Sequence, residues 1–261
     1  MYRTTETPLP PSNRLLSCLS KEECGRLLPH LHHVNLGLGQ VISNATDRLN
    51  FAYFPTTCMV SLISAMQDGG TAEIALIGND GILGTSLFLG GDRATSSAVV
   101  GLAGEAFRVD ARVLRDEFGR AGTFQRNLLR YTDALMAQIS LTAACNATHR
   151  LEKRFCRWLL LTRDRTTSDE LVMTQEFIAH LLGGRRETVT VAAGHLQDAG
   201  IIHYTRGRIT IIDRAGLEKA CCHCYRAVKT EYDRILATDG VVARQPVFEP
   251  AFMSRVSRAL S

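Results

Sequence analysis

Residues 174–212, TQEFIAHLLGGRRETVTVAAGHLQDAGIIHYTRGRITII, constrain the fold more than any other stretch of the chain. Phe177, Ile178, Leu181 and Leu182 recur at helical spacing. They follow Thr174, whose hydroxyl suits an N-cap, and Glu176, which suits the positive end of a helix dipole. This predicts a helix over 174–182. Gly183-Gly184 follows, and glycine tolerates the positive φ of a sharp helix-to-helix corner. A second helix over 185–199 puts Val189, Ala192, Ala193 and Leu196 on one core-facing side and stops at Gly200, where a terminating glycine belongs. Two β-rich runs, 201–204 and 209–212, then flank Arg206-Gly207-Arg208. Helix, tight turn, helix and hairpin in that order describe a winged helix-turn-helix, a module that lays its second helix in the major groove of DNA.

The outward side of that second helix carries Glu187, Thr190, Val191 and Gly194, with Arg186 at its N-terminal shoulder. It is small and mostly polar, as a surface entering a groove roughly 12 Å wide must be. Arginine bonds bidentately to guanine, glutamate accepts from cytosine N4, and a valine methyl touches thymine. Arg186 and Glu187 are therefore the expected base readers, with Thr190 and Val191 adding contacts. Arg185, Thr188, Arg206 and Arg208 are expected to hold phosphates, together with the N-terminal end of the helix. An ordinary α/β helical pair with solvated arginines is the plain alternative. The agreement of several independent signals in order and spacing argues against it.

The runs GGRRETV, LQDAGII and RGRITIID resemble the C-terminal domain of the Crp/Fnr family (cyclic-AMP receptor protein / fumarate-nitrate regulator) of bacterial transcription factors. The resemblance is specific over about residues 150–215 and looser over about 14–148. It matches the family's recognition-helix run at Arg186, Glu187, Thr188 and Val189. Val191 stands where the cyclic-AMP-binding prototype has another arginine, so the half-site is expected to differ. The resemblance implies an α+β protein with an N-terminal double-stranded β-roll like a cyclic-nucleotide-binding domain, a long central dimerisation helix and a C-terminal winged helix-turn-helix. It implies a homodimer that reads a near-palindrome in double-stranded DNA. Activation would need a contact with RNA polymerase; repression need not.

In the family's nucleotide-binding members a Gly-Glu pair bonds the ribose and an Arg-Ser or Arg-Thr pair neutralises the cyclic phosphate. The matching stretch is GILGTSLFLGGDRATSSAVV, residues 81–100. Gly84 fits the glycine, Thr85 replaces the glutamate, and only the hydroxyls of Thr95 or Ser96 stand at the arginine's place. Arg93 comes early and has Asp92 beside it. A buried phosphate without its arginine loses a charge-assisted bidentate bond. The cassette is degenerate, and tight cyclic-AMP binding is not expected. Either another small-molecule effector occupies the roll or ligand control is lost; the effector is unknown.

Around these motifs the organisation is coarse. Residues 1–13 read as a disordered leader and 14–122 as the roll, with short strands at 41–42, 50–54, 59–64, 73–77 and 105–109 punctuated by glycines. A helix is predicted near 21–28, capped by Ser20. Over 123–148, Phe124, Leu128, Tyr131, Leu135, Ile139 and Thr142 keep a helical stripe, read either as a core helix on its own roll or, as favoured here, as a dimer seam. Residues 149–238 form the DNA-binding domain with a C-terminal helix, and 239–261 a tail. In a first helix over 150–162, Arg150, Arg154 and Arg157 lie along one side, facing either the DNA backbone or solvent and a second subunit.

Composition narrows the class. The net charge of +4 is compatible with DNA but weak evidence for it. No apolar run reaches membrane-spanning length, and the first residues lack a signal-peptide core, so a cytoplasmic protein is expected. The eight cysteines are then free thiols. Cys18 and Cys24, with Cys58 far away, lack the spacing of an iron–sulfur site. On a single helix, Cys221, Cys222, His223 and Cys224 point in different directions, so buried apolar thiols are the favoured reading. Cys145 and His149, at i and i+4, are a lone pair. No metal site and no cofactor is assigned, although a metal- or redox-responsive regulator using these Cys/His residues is the alternative function. No nucleotide loop, His-Glu-x-x-His or nucleophile elbow is present, which argues against an enzyme.

Overall fold

The computed structural model describes residues 12–236 apart from 68, 167 and 169. Two short helices, α1 (Arg14–Ser17) and α2 (Lys21–Leu27), precede seven strands: β1 (His32–Leu36), β2 (Val41–Ser43), β3 (Phe51–Pro55), β4 (Met59–Ala65), β5 (Thr71–Ile77), β6 (Ser97–Leu102) and β7 (Gly104–Asp110). These form two antiparallel sheets, ordered β1-β7-β3 and β2-β6-β4-β5, the expected double-sheet roll. Alternation drives it: Ala52 and Phe54 of β3 and Ala75 and Ile77 of β5 point inward. The sequence pattern missed β1, which is largely exposed and alternates only through Val34 and Leu36. It also missed β6, hidden inside the cassette stretch.

After the roll come α3 (Ala111–Phe118), the long α4 (Thr123–Thr148) and α5 (Leu151–Arg163). Then follow β8 (Glu170–Val172), α6 (Gln175–Leu182), α7 (Arg186–Asp198), β9 (Ile202–Thr205), β10 (Arg208–Ile211), α8 (Arg214–Ala220) and α9 (Cys224–Leu236). The hairpin gains β8 as a third strand, in the order β8-β10-β9. The leader before residue 12 and the tail beyond 236 lie outside the described residues. Asn13, assigned to the leader, is instead fully buried; it caps α1 and donates to the carbonyls of Pro55 and Gly81.

Local chemistry sets the helix starts. Ser20 and Glu23 form a reciprocal capping box at α2. The second oxygen of the same carboxylate accepts the Phe124 amide at the start of α4, where Gly122 offers no side-chain cap. A Cβ at Gly122 would stand 2.4 Å from that oxygen.

Two sequence expectations change here. The stripe predicted as a dimer seam is used inside the chain: Phe124, Leu128, Tyr131 and Leu135 are buried against the roll and neighbouring helices, and Ile139 packs on the same core. A helix lying over a roll must first cover that roll, so its most apolar side goes inward. The exposed side instead carries Leu129, Met136 and Ala143 at intervals of seven. The arginine side of α5 also turns inward. Arg157 is buried and donates to Thr142 Oγ1 at 2.7 Å, and Arg154 donates to the Leu182 carbonyl; only Arg150 remains exposed.

Buried polar bonds join the roll to the rest. Arg165 meets Asp80 at 2.9 Å and donates to Gln138 Oε1 of α4 at 3.2 Å, with its guanidinium over the Tyr232 ring of α9. Glu73 of β5 accepts from Ser61 Oγ at 2.6 Å and from Trp158 Nε1 of α5 at 3.2 Å. Burial pushes the Glu73 carboxyl from 4.5 up to about 7, against the lowering effect of those hydrogen bonds. The unfolded chain gives up this proton near 4.5 while the folded one keeps it to about 7. Its stabilising effect is thus complete below the lower value and is lost as pH rises through the upper one. Thermal melts from about pH 5 to about pH 8 should therefore show wild type losing stability relative to Glu73→Gln. Parallel melting curves would remove Glu73 from this role.

Candidate nucleic-acid interface

The helix-turn-helix forms as its residues dictate. Thr174 Oγ1 accepts the Phe177 amide at 3.2 Å to cap α6. Gly183 ends that helix at φ 57°, a left-handed conformation that a side chain resists. A Cβ there would also come within 2.6 Å of the Thr71 carbonyl oxygen of β5. The corner of the motif thus rests on the roll, and Thr71 Oγ1 donates to the His180 carbonyl at 3.1 Å.

On α7, Val189, Ala192, Ala193 and Leu196 are buried, as predicted. Arg185, Arg186, Glu187, Thr188, Thr190 and Val191 are all exposed, Val191 at 56%. An isolated apolar side chain so open to water, in the middle of a polar face, suits contact with a thymine methyl. No side chain caps the N-terminus of α7, which leaves backbone N–H groups to meet an anion.

The wing tip adds a strained arginine. Arg206 (φ 47°) and Gly207 (φ 77°) both adopt left-handed conformations in the turn between β9 and β10, the pattern of a tight hairpin whose first position favours Asn, Asp or Gly. Arg206 holds its side chain toward solvent there at a conformational cost of about 1 kcal/mol. Arg208 differs: it is exposed but ion-paired with Glu170 of β8, so a phosphate would compete with that carboxylate.

Arg186, Arg206 and Gly207 join Thr174, Gln175, Glu176 and Tyr204 around an open cleft of about 550 Å³, between the N-terminal ends of α6 and α7 and the wing. The sequence pattern did not single out Gln175 or Tyr204. Gln175 Oε1 lies 2.7 Å from Thr190 Oγ1 and orients it. Tyr204 is raised by burial, partly offset by the charge of Arg186. Their role depends on the approach of two elements, which no local motif encodes.

The cassette residues differ in setting. Gly84 takes φ 105° ahead of a short 3-10 turn that includes Thr85. Thr95 is exposed and Ser96 buried. Arg93 donates to the Thr46 carbonyl at 2.9 Å, and Asp92 pairs with Arg48 at 3.3 Å. A cavity of about 360 Å³ in the roll is lined by Ile42, Asp47, Arg48, Tyr53 and Leu83 among others, but not by these four.

The cysteines give a different outcome. Cys221–Cys224 do not lie on one helix, because α8 stops at Ala220 and α9 begins at Cys224. That break brings Cys222 and Cys224 to Cys145 and His149 at the end of α4. Hydrogen bonds to its sulfur from Cys145, Cys221 and Cys224 hold Cys222 well below the usual thiol range, and Cys145 and Cys224 are raised in return. Cys18, Cys24 and Cys58 join no such group among the described residues.

Residues 153–220 match the family of Crp-like helix-turn-helix domains. Among solved structures the chain is similar to FixK2 from Bradyrhizobium japonicum, with a TM-score of 0.63 and 17% identity over 74% of this chain and 98% of that one. It is also similar to a CRP-family transcriptional regulator from Thermus thermophilus, with a TM-score of 0.58 and 19% identity over 72% and 95%. The c-di-GMP-responsive global regulator CLP of Xanthomonas campestris shares the fold too, with a TM-score of 0.57 and 16% identity over 74% and 99%. Comparison with curated protein sequences gives no match. At these identities the structures establish the fold, and the matched domain establishes the helix-turn-helix. Residues 153–220 therefore carry a Crp-like helix-turn-helix domain, and the chain as a whole shares the fold of these regulators. Among the described residues no helix is long and apolar enough to cross a membrane.

Arg206→Gly separates stability from binding. It should raise stability by about 1 kcal/mol by relieving the left-handed strain. It should also weaken DNA binding evenly across sequences and reduce the salt dependence by about one phosphate contact. Melting curves and salt titrations of binding measure the two; an unchanged salt slope would take Arg206 off the phosphates.

Proposed function

We propose that this regulator reads a near-palindromic site in double-stranded DNA as a homodimer and does so without cyclic AMP. The observation that carries the reading is the outward side of α7, where Arg186, Glu187, Thr190 and Val191 stand exposed beside an uncapped helix N-terminus and the wing arginine. Arg186 and Glu187 read bases, and Thr190 and Val191 add contacts. Arg185, Thr188 and Arg206 hold phosphates, with Arg208 joining if it exchanges Glu170 for one.

Support for cyclic-AMP independence comes from the cassette sequence, which has hydroxyls at Thr95 and Ser96 where an arginine would stand, and from Arg93, which donates to the Thr46 carbonyl of the roll. A dimer would use the side of α4 that the chain leaves open. Leu129 and Met136, 46% and 62% exposed, with Ala143 beyond them, give a seam at heptad spacing. Two recognition helices related by a twofold axis would reach grooves one DNA turn apart, about 34 Å. A second reading, regulation by a metal or by redox state, is favoured by the gathering of Cys145, His149, Cys222 and Cys224.

Selection from random duplex DNA at near-physiological salt, with no ligand added, should enrich a palindrome; weak salt-sensitive binding to all sequences would mean that the free protein needs an effector. On the enriched site Arg186→Ala should lose about 1–3 kcal/mol with little change on random DNA. Unchanged discrimination would remove Arg186 from base readout. Met136→Glu should shift sedimentation toward the monomer and lower affinity for the full palindrome, whereas an undiminished dimer would place the seam elsewhere.

A further inference from the structure

We propose that Cys145, His149, Cys222 and Cys224 bind a thiophilic divalent cation, zinc by ligand set and geometry. The site deepens the second reading above but stands independently of how the protein reads DNA.

Cys145 lies in the last turn of α4 and His149 caps that helix, its amide donating to the Cys145 carbonyl at 2.9 Å, so the two stand together at its C-terminal end. Cys222 and Cys224 come from the break between α8 and α9. The four ligand atoms all lie within 4.8 Å of one another. Cys145 Sγ is 3.6 Å from Cys222 Sγ, and Cys224 Sγ is 3.7 Å from His149 Nδ1. A tetrahedral zinc with bonds of about 2.3 Å to sulfur and about 2.0 Å to nitrogen has S–S edges of about 3.8 Å and S–N edges of about 3.5 Å. Those two contacts already match tetrahedral edges, and the wider separations need only small side-chain rotations. The Thr148 hydroxyl, 3.3 Å from the same imidazole nitrogen, would give way to the ion.

Two plainer readings account for less. Thiols that merely pack would face carbon, yet the buried members of this cluster are Cys145, Cys222 and Cys224 alone. A disulfide needs sulfurs at about 2.05 Å and would leave the third thiol and the imidazole without a purpose. Three thiolates and a neutral imidazole around a divalent ion leave one negative charge. Arg157 supplies a positive charge nearby: its buried guanidinium reaches Thr142 Oγ1, three residues before Cys145 on α4, and its Nε has no hydrogen-bond partner. His223 packs edge-on against His149 at 5.4 Å and holds the ring in place. Four protein ligands close the coordination shell, which marks a structural ion rather than a catalytic one. The ion would staple the end of the central helix to the start of α9.

The test is metal analysis of the full-length protein, purified with reductant and without chelator, by inductively coupled plasma mass spectrometry. One zinc per chain is expected, and cobalt(II) exchanged into the site should show thiolate charge-transfer and intense tetrahedral d–d bands. Cys222→Ser, Cys224→Ser and His149→Gln should each lose the metal, while Cys221→Ser, a neighbouring thiol outside the set, should keep it. Circular dichroism of each variant reports folding, so loss of metal from a folded His149→Gln chain is decisive. Metal-free wild-type protein that also refuses cobalt would overturn the proposal. Zinc retained by Cys224→Ser, or a Cys145–Cys222 disulfide found by mass spectrometry in reductant-free protein, would overturn it as well. None of these measurements involves DNA, so their failure is distinct from failure of the DNA-binding reading.

Discussion

Arg165 leaves the end of α5 and enters a buried junction where the roll, α4 and α9 meet. Its guanidinium binds Asp80 of the roll, the Leu161 carbonyl and Gln138 of α4, and lies over Tyr232 of α9. Both charges are almost fully buried. Taking such a pair out of water is unfavourable unless each hydrogen-bonding group is matched, so it tolerates few geometries. The surroundings are cut to fit. A Cβ at Gly78 would stand 2.7 Å from Arg165 Cβ, and one at Gly81 would stand 2.4 Å from the Tyr131 hydroxyl. The orientation of the DNA-binding half follows from this junction, from the Glu73–Trp158 bond beside it, and from the contact of Gly183 with Thr71.

The central helix answers several demands at once. Its N-terminus is capped by Glu23 of α2, its middle lies over β5 and the junction, and its C-terminal end carries Cys145 and His149. With the most apolar stripe consumed by the chain's own core, the open side is narrower and more mixed. That division explains why a periodic stripe alone does not say which surface a second subunit would meet.

The exposed side of α7 was legible because it is local. A helix with small apolar residues at 189, 192, 193 and 196 must turn the intervening residues outward, whatever the rest of the chain does. The ion pair of Arg208 with Glu170 was not legible, because β8 is three residues long and the two residues stand 38 positions apart. The arginines of α5 were misplaced for the same kind of reason. Their spacing is that of a charged face, but the partners that draw Arg157 and Arg154 inward belong to α4 and to the end of α6.

Sequence by itself determined the helix, turn, helix and hairpin order of residues 174–212, the corner at Gly183, the two faces of α7 and the lack of an arginine at positions 95 and 96. Each depends on residues within one or two turns of each other, or on the plain absence of a side chain. Tertiary structure alone decided which stripe of α4 is buried, where Arg165 finds its acceptors, and that Cys145 and Cys222, 77 positions apart, come to lie 3.6 Å from each other. Backbone propensity and hydrophobic period act locally, whereas a side chain's partners across the fold are set by how whole elements pack.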